Sequence, residues 1–73
     1  MEIIAQYSNS YEGNDCIIHK FATVTYIPGP EKYLVTEIEY YQGSWTSDDI
    51  ETTTHIVSDE ETAKREAQEF VED

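Results

Sequence analysis

The amino-acid sequence predicts an α+β fold: a small antiparallel three- or four-stranded meander sheet with one C-terminal helix packed on one face. Three observations predict it. Stretches 16–26, 33–42 and 50–57 are rich in Ile, Val, Tyr and Thr and alternate with the period of two of a strand. The connections between them are short, which favours antiparallel neighbours. Helical spacing begins only after Ser58. Seventy-three residues make a single domain, 1–73, with a small core.

Glu2 to Tyr7 is a short β-type run. Residues 8–15 are dominated by Ser, Asn, Gly and Asp, which bond to their own backbone in turns, and these and the last two or three residues are expected to be disordered. Cys16 to Tyr26 follows, with Ile18, Ala22, Val24 and Tyr26 on one face, Cys16 beside them and Lys20 breaking the row. Ile17, His19, Phe21, Thr23 and Thr25 take the other face. Pro28, Gly29 and Pro30 stop that strand, since proline cannot donate to a ladder and glycine accepts positive φ. From Tyr33 to Gln42, Leu34, Thr36, Ile38 and Tyr40 alternate with Tyr33, Val35, Glu37, Glu39 and Tyr41. The face bearing Glu37 and Glu39 is expected to meet solvent or a partner, with Tyr41 exposed and Tyr40 buried. Ile50 to Val57 is the last strand, with Ile50, Thr52, Thr54 and Ile56 opposed to Glu51, Thr53, His55 and Val57. Ser58 with Glu61 reads as a capping box. Ala63, Ala67, Phe70 and Val71 then form one narrow apolar stripe, small enough to let the helix lie close to a sheet.

Charge is the loudest signal. Sixteen acids stand against four bases, a formal charge of -12. Thirteen of those acids fall in residues 31–73, opposed there by Lys32, Lys64 and Arg65. So charged a domain repels itself and trades stability for solubility and steering of cations. Like charge opposes nucleic acid and anionic lipid as direct ligands. The protein is therefore expected to meet neither nucleic acid nor membrane directly. Cys16 is the lone cysteine and no apolar run reaches the roughly 20 residues of a membrane span, so a cytoplasmic location is expected.

The candidate partner-binding residues follow from charge and aromatic content. Glu37 and Glu39 leave one strand face roughly 7 Å apart. Asp48, Asp49 and Glu51 lie in or beside the next connection, and Glu66, Glu69 and Glu72 are expected on the outer side of the helix. Tyr41 and Trp45 sit among them as candidate anchors, because aromatic groups with a charged rim describe an interface centre. The bland alternative is a solvated face that only keeps a small domain in solution.

Chemistry finds less support. Cys16 and His19 have a zinc-like spacing, but alternation sends them to opposite faces and a second ligand pair is missing. Asp48, Asp49 and Glu51 lack the glycine and spacing of an EF-hand loop. No phosphate loop or nucleophile elbow is present. Neither enzymatic activity, metal nor cofactor is expected.

In size, charge and lack of catalytic residues the chain is similar in kind to small acidic proteins of phages and mobile elements, such as nucleic-acid mimics and anti-CRISPR inhibitors. The likeness covers no aligned stretch. It implies a stoichiometric inhibitor whose partner is a basic protein surface, that of a nucleic-acid-binding protein. The alternative from another class is an interaction module that pairs through an exposed sheet edge, including with itself as a homodimer, charge serving solubility only.

Overall fold

The alternation written into each run carries into a four-stranded sheet. The computed structural model describes residues 2–13, 15–43 and 49–72. They form β1 (Glu2–Gly13), β2 (Cys16–Ile27), β3 (Lys32–Gly43), β4 (Asp49–Val57) and α1 (Glu60–Glu72). The sheet order is β1-β2-β3-β4 with every neighbouring pair antiparallel, an uninterrupted meander with β1 and β4 at its edges. The helix packs on one face, giving the two-layer α+β architecture that the sequence predicts.

Register decides which side chains share a face. One row runs Ala5, Val24, Val35, His55 across the four strands, and the next runs Tyr7, Ala22, Glu37, Thr53. This is the face that α1 covers. The opposite face carries the rows Ile3, Thr25, Leu34, Ile56 and Ser8, Phe21, Ile38, Thr52, with Gln6, Thr23, Thr36, Thr54 between them. Among the described residues no element covers that second face.

The core is small. Ala22, Val24 and Val35 from the sheet meet Ala63, Ala67 and Val71 from the helix, ringed by the partly buried Ile4, Ala5, Tyr7, Tyr33, Val57 and Phe70. Full burial of a valine-sized side chain contributes about 1.5–3 kcal/mol, so Val24 and Val35, both fully inaccessible, are its main contributors. The alanines contribute chiefly by what they omit, because without bulk between them helix and sheet can approach closely. A helix of this length spans about 20 Å while 12-residue strands run about 40 Å. The cover is therefore about half as long as the sheet beneath it, in a molecule whose longest extent is 46 Å.

Turns follow the residues that favour them. Ile27 pairs with Lys32 around a four-residue loop, in which Gly29 takes a φ of 97° and Glu31 a φ of 56°. Gly13 pairs with Cys16, and Asp15 just before Cys16 has a φ of 61°. A bulge between Ile3 and Ala5 lets both Ile4 and Ala5 pack against the core from one edge strand. No helix among the described residues is long and apolar enough to cross a membrane.

Three expectations are corrected. Residues 8–13 are not disordered: β1 continues through them to Gly13, because the β2 ladder satisfies their backbone, and at the other end α1 runs on through Glu72. Their polar side chains also find partners, Asn9 Nδ2 donating to Tyr11 Oη at 2.8 Å and Ser10 Oγ lying 2.9 Å from His19 Nδ1. Tyr40, expected buried, is half-buried on the uncovered face, stacked on His19 at a centroid distance of 5.6 Å. The helix cap is Asp59 and not Ser58. Asp59 Oδ2 accepts from the Thr62 backbone N–H at 2.9 Å and from Thr62 Oγ1 at 2.8 Å, while its carbonyl accepts from Ala63 N at 3.0 Å.

The cap has a pH signature. The Thr62 backbone bond, then the Thr62 hydroxyl, hold the Asp59 carboxyl below its ordinary value. A lowered folded-state pKa contributes stability above the unfolded value and loses it as pH falls through the folded one. Asp59→Ala is therefore expected to lower the melting temperature by a few degrees at neutral pH, and Asp59→Asn to restore most of it. Acidification should narrow the gap between wild type and Asp59→Asn; melts at neutral and acid pH check this.

Candidate functional site

The acids of β3, β4 and α1 converge on the flank of the helix. Glu37 faces the side of the sheet on which α1 lies, and Glu66, Glu69 and Glu72 follow one another at three-residue spacing along the helix. Such spacing keeps side chains on neighbouring turns of one face. Together with His55 and Phe70 they line an open groove of about 630 Å³. Two residues further along β3 the strip continues as a smaller shelf of about 300 Å³, lined by Glu39, Tyr41, Ile50 and Glu51.

Local bonds order part of this surface. His55 Nε2 lies 2.6 Å from Glu66 Oε2, with both side chains partly exposed. Tyr41 Oη donates to Glu39 Oε1 at 2.6 Å. That hydrogen bond, then the charge of Glu39, push the Tyr41 phenol above its ordinary value, so it stays a neutral donor at physiological pH. Lys20 stands opposite Glu39 in register, its Nζ 5.3 Å from the Phe70 ring centroid and 5.7 Å from that of Tyr11. The Tyr11 hydroxyl donates to the Val71 carbonyl, satisfying one of the acceptors that a helix leaves unpaired at its end.

Several acids sit where folding disfavours them. Glu39 and Glu51 are directly opposite on β3 and β4, a like-charge pair that destabilises a sheet. Glu69 and Glu72 lie at the C-terminal end of α1, where the helix dipole is negative, and the last turn contains no base. By contrast Glu60 and Glu61 occupy the favourable first turn, and Glu60 pairs with Lys64 at 3.3 Å. The adverse placements cluster at the groove and shelf.

The sequence-predicted binding residues divide as follows. Glu37, Glu66, Glu69 and Glu72 line the groove, and Glu39, Tyr41 and Glu51 the shelf beside it. Asp49 pairs in register with Tyr41 at the end of the shelf. Trp45 and Asp48 lie outside the described residues. Two details depart from expectation. The Glu37 face is also the face carrying buried Val35, so these acids flank a packed helix instead of standing on an open sheet. Glu66 turns toward β4 and His55 instead of outward. His55 and Phe70 were missed as parts of the site, although alternation along β4 already places His55 on the same face as Glu51.

Chemically, the strip can accept hydrogen bonds from guanidinium and ammonium groups along the groove and shelf, with an aromatic floor. Among the described residues no group of three or more His, Cys, Asp or Glu is arranged to hold a metal ion. Cys16 and His19 stand on opposite faces of β2. No family model, curated protein or solved structure is found to match this chain.

Proposed function

We propose that this protein is a small acidic, non-catalytic binding protein, a stoichiometric inhibitor that occupies the basic groove of a nucleic-acid-handling protein. The observation that carries this reading is the continuous acidic strip of Glu37, Glu66, Glu69 and Glu72 with Glu39 and Glu51, several of them set where they weaken the fold. Selection for stability alone would not gather like charges at a helix C-terminus and across a strand pair. A cationic groove lined by Lys and Arg would relieve that repulsion on docking, and its charge would draw the domain in at long range. Spaced carboxylates of this kind stand in for the phosphates of a nucleic acid.

The test is capture from a lysate on the immobilised chain at two salt concentrations, followed by competition with duplex DNA. The expected result is a basic nucleic-acid-binding protein held at one-to-one stoichiometry, released as salt rises and displaced by DNA. Binding that is indifferent to salt, or a target that still holds its nucleic acid, contradicts the proposal. The rival module reading has one observation in its favour, that the Thr-rich β4 is an edge strand. Backbone pairing at that edge would survive replacement of the surface acids by amides, whereas groove occupation would not.

A further inference from the structure

We infer that the uncovered face of the sheet is a self-association surface, on which a second copy of this chain stacks face to face to form a β-sandwich dimer. This goes beyond the binding function proposed above and uses the other side of the molecule, meeting the acidic shelf only at Ile50 on the β4 edge.

Charge argues for it first. Among the described residues, register places only Glu12 and Lys32 as charged side chains on this face, and they cancel. The chain as a whole carries -12. Other pairings of surfaces between two copies would bring acids against acids, and this one does not. A heterologous partner has no need of a neutral surface, because a basic protein is attracted to the acidic side. Neutrality on one face of so acidic a chain is what a copy of the same chain requires.

Apolar exposure argues for it second. Ile3, Ile17, Phe21, Ile50 and Ile56 are between 39% and 67% exposed, and all five project from this face. Exposed apolar groups gathered on one surface mark an interaction site. Tyr41, the remaining large exposed hydrophobic among the described residues, belongs to the acidic side.

Area argues for it third. Four strands spaced about 4.8 Å apart and about 36 Å long present roughly 650–700 Å² per copy, so a dimer buries about 1,300 Å² in total, within the range of specific stable interfaces. Two such sheets pack about 10 Å apart with their side chains interdigitated. In that arrangement both helices and both acidic grooves lie on the outside, and the dimer is bivalent.

Sedimentation equilibrium over a concentration series at low and high salt tests this. The expected result is a reversible dimer of 8.4 kDa chains with a dissociation constant in the micromolar range. It should tighten as salt rises, because screening relieves repulsion between two anionic copies while apolar burial persists. Binding through the acidic groove responds to salt in the opposite sense, so either proposal can fail without the other. Phe21→Lys with Ile38→Lys, a directly opposed pair at the centre of the face, should leave a folded monomer by circular dichroism. Thr36→Lys on the same face is the milder variant should the double substitution fail to fold, and should weaken the dimer at least tenfold. A wild type that stays monomeric into the millimolar range overturns the inference. So does a dimer that persists in the substituted chains, as an edge-paired one would, or one that loosens as salt rises.

Discussion

Replacing Glu37, Glu39, Glu69 and Glu72 together by glutamine is expected to weaken association with a basic partner about 100-fold at low salt while raising the melting temperature of the free domain. The two effects have opposite signs because the same carboxylates serve binding and oppose folding. An exposed ion pair at an interface rim is worth about 0.2–1 kcal/mol. Four of them in the upper half of that range, about 0.7 kcal/mol each, sum to about 3 kcal/mol, or roughly two decades in affinity. In the free domain, substitution at Glu39 removes its like-charge opposition to Glu51, and substitution at Glu69 and Glu72 removes anions from the negative end of α1. Each of these terms is worth a few tenths to about 1 kcal/mol. Glutamine keeps the side-chain length, so groove shape is preserved. Isothermal titration against the captured partner and a thermal melt of the free domain measure both halves. Unaltered affinity would sink the acidic-groove reading, and a lowered melting temperature would sink the claim that these acids burden the fold.

Ala67→Leu is expected to cost about 3 kcal/mol, at the upper end of the usual overpacking penalty. Ala67 is fully buried between α1 and the sheet, facing a core whose largest fully buried members are Val24 and Val35. Leucine is nearly as good a helix former as alanine, so the loss comes from displacing the helix and not from propensity. Domains of this size hold only about 4–11 kcal/mol in total. The melting temperature should accordingly fall by roughly 12–24 °C. Gln68→Leu, one position along and exposed, should change it little. Equal melts for the two variants would mean that α1 does not seat on the sheet through its alanine stripe.

The meander, its helix and the alternation along each strand were legible because each rests on local periodicity; which face the helix covers was not, since Val35 is buried on the Glu37 face and Tyr40 lies on the open one. Val24 and Val35 sit at even and odd positions of strands whose register is set by the short Pro28–Glu31 turn, so their meeting follows from alternation and turn length. The stripe of Ala63, Ala67 and Val71 was equally plain from helical spacing. The polar half of β1 was not, since Ser8, Asn9 and Ser10 have turn propensity and hold strand geometry only through the β2 ladder, a tertiary effect. Asp59 displaced Ser58 as the cap because both residue types suit the role, and only the dihedrals of the first turn decide between adjacent candidates. The acids of the candidate site could be named from composition. Their assembly around Phe70 and His55 could not, because it depends on how far α1 reaches along β3 and on which side it leans.

The pairing of each strand with its neighbour in the chain has a kinetic consequence. Every ladder closes over one short loop, so little chain entropy is spent before a contact forms, and topologies of this kind reach the native state quickly for sheet proteins. The bond from the Tyr11 hydroxyl to the Val71 carbonyl is of another order, joining residues sixty positions apart. It works as a clasp between first strand and final turn, and its formation must wait until the ribbon between them has zipped together.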